Sequence, residues 1–131
     1  MKFEPKVPPR KFSVGNAIKF DMADCGTLKL VPDEQVTLLT EDGGQFDVAR
    51  KSWGFYATPS LNGRLPQFGL RGVLIRNVLT GRYFVLLLEK GKEAEFNAYM
   101  EQESLEVIAW LDSTENLDAL KKAVTAASRP E

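Results

Sequence analysis

Residues 70–89, LRGVLIRNVLTGRYFVLLLE, decide how the rest of the chain is read. Two apolar runs, Leu70–Val78 and Arg82–Glu89, flank Leu79-Thr80-Gly81, where the glycine supplies the backbone freedom a tight connection needs. The spacing predicts an antiparallel hairpin. Its second strand holds Tyr83-Phe84-Val85-Leu86-Leu87-Leu88, apolar at every position rather than at every other one. Such a strand has no solvent face, so it is expected to lie centrally in a sheet that is covered on both sides.

Covering a sheet face takes a helix, and helical text follows directly. Phe96, Tyr99 and Met100 fall on one stripe of residues 92–103. Leu117, Leu120, Val124 and Ala127 do the same over residues 116–127, with Asp112 or Ser113 available as the N-cap. Between these segments, Leu105–Leu111 is ambiguous. Val107, Trp110 and Leu111 continue the helical stripe from Phe96, but Val107 and Ile108 favour a strand, and the strand is the reading taken.

Upstream, residues 12–51 read as a series of strands. Val14, Ile18 and Phe20 alternate with polar residues, although Gly15 and Asn16 blur the pattern. Thr27–Val31 is a short strand closed by Pro32-Asp33-Glu34, and Gln35–Thr40 and Gln45–Lys51 are joined by Glu41-Asp42-Gly43-Gly44. These segments suggest an antiparallel meander. Residues 1–11 carry Pro5, Pro8 and Pro9 among charges and suit an extended arm. The spacing Pro5-x-x-Pro8-x-Arg10 also fits a proline-rich ligand, a pattern that short tails match readily by chance. The expected class is therefore α+β: a mainly antiparallel sheet, compatible with a barrel or a sandwich, followed by two C-terminal helices packed on it. One domain over residues 12–128 follows the arm.

Composition narrows the chemistry. The chain has 131 residues, 44% of them hydrophobic, and contains no histidine. Ser-His-Asp and Cys-His catalysis are excluded, as is a histidine-ligated metal. With Cys25 as the single cysteine there is no internal disulfide and no cysteine-based zinc site. The unpaired thiol suits a reducing compartment. MKFEPKVPPRKF lacks the apolar run of a signal peptide, and the longest apolar run is six residues, so the expected location is cytoplasmic. Asp21 and Asp24 lie three apart beside Cys25 and Gly26; carboxylates on a loop could hold Mg²⁺ or Ca²⁺, but the run lacks the D-x-D-x-D-G pattern and reads as a solvated turn. No phosphate-binding loop or dinucleotide fingerprint is present, and no catalytic residue, metal or cofactor is assigned.

The charge is segregated. Residues 48–88 hold Arg50, Lys51, Arg64, Arg71, Arg76 and Arg82 with no acid, whereas residues 89–118 hold nine acids against Lys90 and Lys92. Within the basic half, residues 52–69, SWGFYATPSLNGRLPQFG, resist a regular assignment, because Gly54, Pro59, Gly63, Pro66 and Gly69 interrupt every period. Asn62-Gly63 suggests a small hairpin projecting Arg64. Aromatic rings beside arginines suit an anionic ligand with a flat or sugar-like face, such as a nucleotide or nucleotide sugar. The candidate ligand residues are Trp53, Tyr56, Ser60, Asn62, Arg64, Arg71, Arg76 and Arg82.

Two other readings use the same segment. The loop could be an interface with a second copy or a partner enzyme, since aromatic residues and arginine are enriched at interface hot spots. Single-stranded nucleic acid is disfavoured by a net charge of −1. The plainer alternative is a solvated basic face whose arginines pair with the acidic C-terminal segment, over rings that fill a core. The readings part on geometry: a site needs Tyr56, Arg64 and a neighbouring arginine exposed and convergent.

Overall fold

A computed structural model describes residues 1–15 and 19–128. The expectations placed on Asn16 and Ile18 lie outside the described residues. The protein is α+β, built mainly from antiparallel strands in three small sheets, and no closed barrel forms among the described residues. Strands β1 (Lys2–Val14) and β2 (Phe20–Lys29) form a long two-stranded hairpin. Strands β3 (Gln35–Leu39), β4 (Gln45–Lys51) and β5 (Gly54–Tyr56) form a meander with β4 in the middle. Strands β6 (Leu70–Asn77), β7 (Tyr83–Glu89) and β8 (Leu105–Trp110) form the third sheet, in the order β7-β6-β8.

Residues 1–11, expected to trail as an arm, instead make up most of β1. The prolines leave their mark as a break in pairing between Pro5 and Arg10, because proline has no N–H to give to the ladder. Asp21 and Asp24 both lie on β2 rather than on a loop, and residues three apart on a strand point to opposite faces. They serve different partners: Ser13 donates to Asp21 at 2.9 Å, while Lys6 donates to Asp24 at 2.5 Å.

The core forms where the sequence pattern is strongest. Val73 and Ile75 of β6 and Leu88 of β7 pack against Phe96 and Met100 of helix α2 (Glu93–Gln102). Leu86, Leu105 and Trp110 close the cluster at its edges. Leu105–Trp110 is a strand, since its alternation fits the sheet and its backbone pairs with β6. Two expectations for this region are corrected. Strand β7 lies at the edge of its sheet and β6 occupies the centre, because β8 adds to the far side of β6. Only one of the two C-terminal helical segments builds the core: helix α3 (Thr114–Ser128) has Leu120 and Val124 exposed on the stripe expected to pack. Ser113 rather than Asp112 caps α3, its Oγ accepting the Asn116 N–H at 3.2 Å.

A third helix, α1 (Arg64–Gln67), was not anticipated. It replaces the hairpin expected at Asn62-Gly63. Pro66 sits in its first turn, where a missing N–H costs nothing, and Leu65 is fully buried beneath it. No helix among the described residues is long and apolar enough to cross a membrane.

Candidate functional site

The residues of the central segment divide between two sheets. Strand register places Gln35, Ala49 and Tyr56 in one cross-strand row on the β3-β4-β5 sheet. Asp47 lies two residues before Ala49 and therefore on the same face, opposite Thr37. The chain then leaves β5 at Tyr56 and turns back over this face through residues 57–63. Ser60 shapes the turn: its Oγ accepts the Arg64 N–H at 2.7 Å, and its carbonyl accepts the Leu65 N–H at 3.1 Å. Burial of Leu65 anchors the return, so Arg64 emerges over the sheet.

The result is a cleft of about 320 Å³ between β4, β5 and the start of α1. Tyr56, Ser60 and Arg64 line it, and so do Gln35, Asp47 and Thr58. Asp47 orients the cation. Its Oδ2 lies 3.2 Å from Arg64 Nη2, while its Oδ1 accepts the Thr37 hydroxyl at 2.6 Å. The guanidinium also stacks over the Phe68 ring at 5.1 Å, an arrangement that fixes its plane. Arg64 nevertheless keeps more than half of its side chain in solvent. Five N–H donors cannot all be spent on one carboxylate oxygen, so outward-facing donors remain.

Trp53 stands at the rim, in the two-residue connection between β4 and β5. It is 66% exposed and meets Tyr56, itself 59% exposed, edge-on at 5.5 Å between ring centroids. Phe55, on the opposite face of the same short strand, is also exposed and lies under the Arg50 guanidinium. Asn62 points the other way: its amide donates to Thr114 Oγ1 at 3.1 Å and ties the turn to the start of α3.

The remaining arginines lie on the other sheet. Arg71 Nε donates to Asp112 at 2.6 Å, Nη1 lies 3.5 Å from Glu93, and the guanidinium covers the Trp110 ring at 4.1 Å. Arg76 pairs with Glu106 at 3.2 Å and lies over Tyr83. Both are held by acids from the acidic C-terminal segment, as the plainer reading of the charge pattern expects. Arg82 is exposed at the start of β7, beyond the β6–β7 turn. The structure thus brings Tyr56, Ser60 and Arg64 together with Trp53 beside them, and it places Asn62, Arg71, Arg76 and Arg82 elsewhere.

Gln35 and Asp47 escaped the sequence reading. Neither belongs to a motif; only strand pairing carries them to Tyr56. A wider groove, lined by Thr40, Asp42, Leu86, Leu88, Lys92 and Phe96, was missed for the same reason. Its cation is already engaged, since Lys92 lies 2.8 Å from Asp42 and 3.1 Å from Glu89. Those two carboxylates hold Lys92 protonated well above its usual range, Asp42 contributing most. Among the described residues there is no cluster of three or more acidic or thiol groups placed to hold a metal ion. Comparison of the chain with protein-family models, curated proteins and solved structures finds no significant match in any of them.

Proposed function

We propose that this chain is a non-catalytic binding protein whose site is the cleft between β4, β5 and α1. Its ligand is a small anionic molecule with a planar or sugar-like face, of the nucleotide or nucleotide-sugar class. The observation that carries this reading is the meeting of Tyr56, Ser60 and Arg64 with Gln35 and Asp47 around one cleft. Arg64 offers its outward N–H groups to a phosphate or carboxylate. Tyr56 offers a ring face, and Gln35, Ser60 and Asp47 offer hydrogen bonds suited to hydroxyl groups or a base edge. With no histidine in the chain, binding is better supported than acid–base chemistry. The exposed free thiol of Cys25 fits a reducing, cytoplasmic setting.

A thermal-shift panel of nucleotides, nucleotide sugars and sugar phosphates tests the reading. At ligand concentrations about 100-fold above Kd, the melting temperature should rise by several degrees, because ligand bound only to the native state stabilises it. Arg64→Ala should abolish the rise, and Arg82→Ala should leave it intact. A panel without any response rejects this ligand class.

The exposure of Trp53, Phe55 and Tyr56 favours one second reading, in which the same loop docks a protein partner. Saturable small-molecule binding that Trp53→Ala leaves unchanged would speak against it. Nucleic-acid binding has less support, since Arg71 and Arg76 are spent on carboxylates.

A further inference from the structure

Strand β7 is one edge of its sheet, and the ends of its hairpin fix which backbone groups face β6. The Asn77 N–H donates to the Arg82 carbonyl at 2.8 Å, and the Lys90 N–H donates to the Gly69 carbonyl at 2.9 Å. In an antiparallel ladder only alternate pairs exchange hydrogen bonds, so Arg82, Phe84, Leu86, Leu88 and Lys90 turn their backbone groups toward β6. Tyr83, Val85 and Leu87 turn theirs outward, where no strand among the described residues pairs with them. The open row stops at Glu89, whose carbonyl accepts the Lys92 N–H at 3.1 Å. Edge strands are ordinarily guarded by charge, proline or a bulge. The opposite edge, β8, has Glu106 and a register shift; residues 83–88 have none of these guards.

The two halves of the strand are complementary. Tyr83, Phe84 and Val85 are exposed, whereas Leu88 is buried and Leu86 and Leu87 partly so. The wider groove, about 720 Å³, runs beside the second half. Leu86, Leu87 and Leu88 all line it, and consecutive strand residues face opposite sides, so the groove follows the edge rather than one face. Phe96 and Tyr99 give it an apolar wall, and the carboxylates of Glu41, Asp42, Glu89 and Glu95 outnumber Lys92. Such a place suits an extended, apolar strand that brings a cation. Arg82-Tyr83-Phe84-Val85, the exposed half of the same strand, has that chemistry. Arg82 and Glu95 are both exposed, and neither forms an ion pair among the described residues.

We infer that β7 pairs antiparallel with β7 of a second copy of this chain, joining their sheets edge to edge. A two-fold axis at Val85 sets Val85 opposite Val85 and Tyr83 opposite Leu87. Every outward N–H and carbonyl then meets another, each pair exchanging two hydrogen bonds. The same register places Phe84 beside the other copy's Leu86, and Arg82 beside its Leu88, on the side that carries α2. Phe84 thereby enters the other copy's groove, and Arg82 reaches Glu95 at its rim. This edge is separate from the Tyr56–Arg64 cleft, so either assignment can fail without the other.

Sedimentation equilibrium of the full chain at about 100 µM should give twice 14.6 kDa. Arg82→Glu and Glu95→Arg each alter an exposed side chain with no ion pair to lose, so both should fold. Each should weaken dimerisation about 10-fold, because it sets like charges together at two symmetric places. The double variant exchanges the charges and should restore the wild-type affinity. Amide hydrogen exchange reads the backbone independently. In the dimer, the N–H groups of Tyr83, Val85 and Leu87 should exchange as slowly as those of Phe84 and Leu86, whereas an unpaired edge alternates fast and slow. A monomeric wild type overturns the inference. So does a dimer that ignores the single reversals, a double variant that stays weak, or fast exchange at Val85 in the dimer.

Discussion

At the scale of the residue, arginine serves opposite ends in the two sheets. Arg64 is steered by Asp47 and Phe68 but left open to solvent, whereas Arg71 is enclosed by Asp112, Glu93 and the Trp110 ring. The first arrangement preserves donors for a ligand; the second consumes them in structure. Arg71→Ala should therefore destabilise the fold, leaving two carboxylates without their cation and a ring without its cover. The expected loss is about 1–2 kcal/mol, seen as a drop of roughly 3–8 °C in a calorimetric melt. An unchanged melting temperature would show that this pair contributes nothing. The sequence could not separate the two roles. Arg71 and Asp112 are 41 residues apart, and only the pairing of β6 with β8 makes them neighbours. Likewise, Tyr56 and Arg64 are legible as candidates from their residue types, but Gln35 and Asp47 join them solely through strand register.

At the scale of the element, legibility follows length and periodicity. The hairpin β6–β7, helix α2 and strand β8 are long enough for their apolar pattern to show, and each forms where the pattern puts it. Helix α1 and strand β5 span four and three residues, too few for any period to register, so the glycines and prolines dominated the reading. The placement of β7 is a different kind of miss. Its uniform hydrophobicity implies two covered faces, yet the chain leaves Tyr83, Phe84 and Val85 at its start exposed and buries only its far end at Leu88. The two later helices also differ in what they hold. Phe96→Ala in α2 opens the core and should cost about 3–5 kcal/mol in chemical denaturation. Leu120→Ala, at an exposed position of α3, should stay within about 0.5 kcal/mol. Equal losses at the two positions would mean that α3 is packed as tightly as α2.

At the scale of the whole molecule, surface ion pairs supplement a small core, two of them joining separate parts of the chain and one lying within the β1–β2 hairpin. The amino terminus holds Glu34, Lys6 holds Asp24 and Lys92 holds Asp42, and each carboxylate is kept below its ordinary value of 4.5 for Glu34 or 3.8 for the two aspartates. A depressed carboxylate adds stability that is present above its ordinary value and is lost as pH falls through its value in the folded state. With no histidine to titrate, the melting temperature should be nearly flat from about pH 5 to 8 and fall below about pH 4.5. A melting temperature that holds steady down to about pH 3 would contradict that balance. The binding reading is tested most directly by following tryptophan emission while titrating the ligand that gives the largest thermal shift, since Trp53 lies 5.5 Å from Tyr56 at the cleft rim. The expected result is a saturable change in the wild type and a Kd about 10- to 100-fold weaker in Arg64→Ala at unchanged fold. An equal Kd in the two proteins, or no saturable change in either, would contradict the assignment of the cleft.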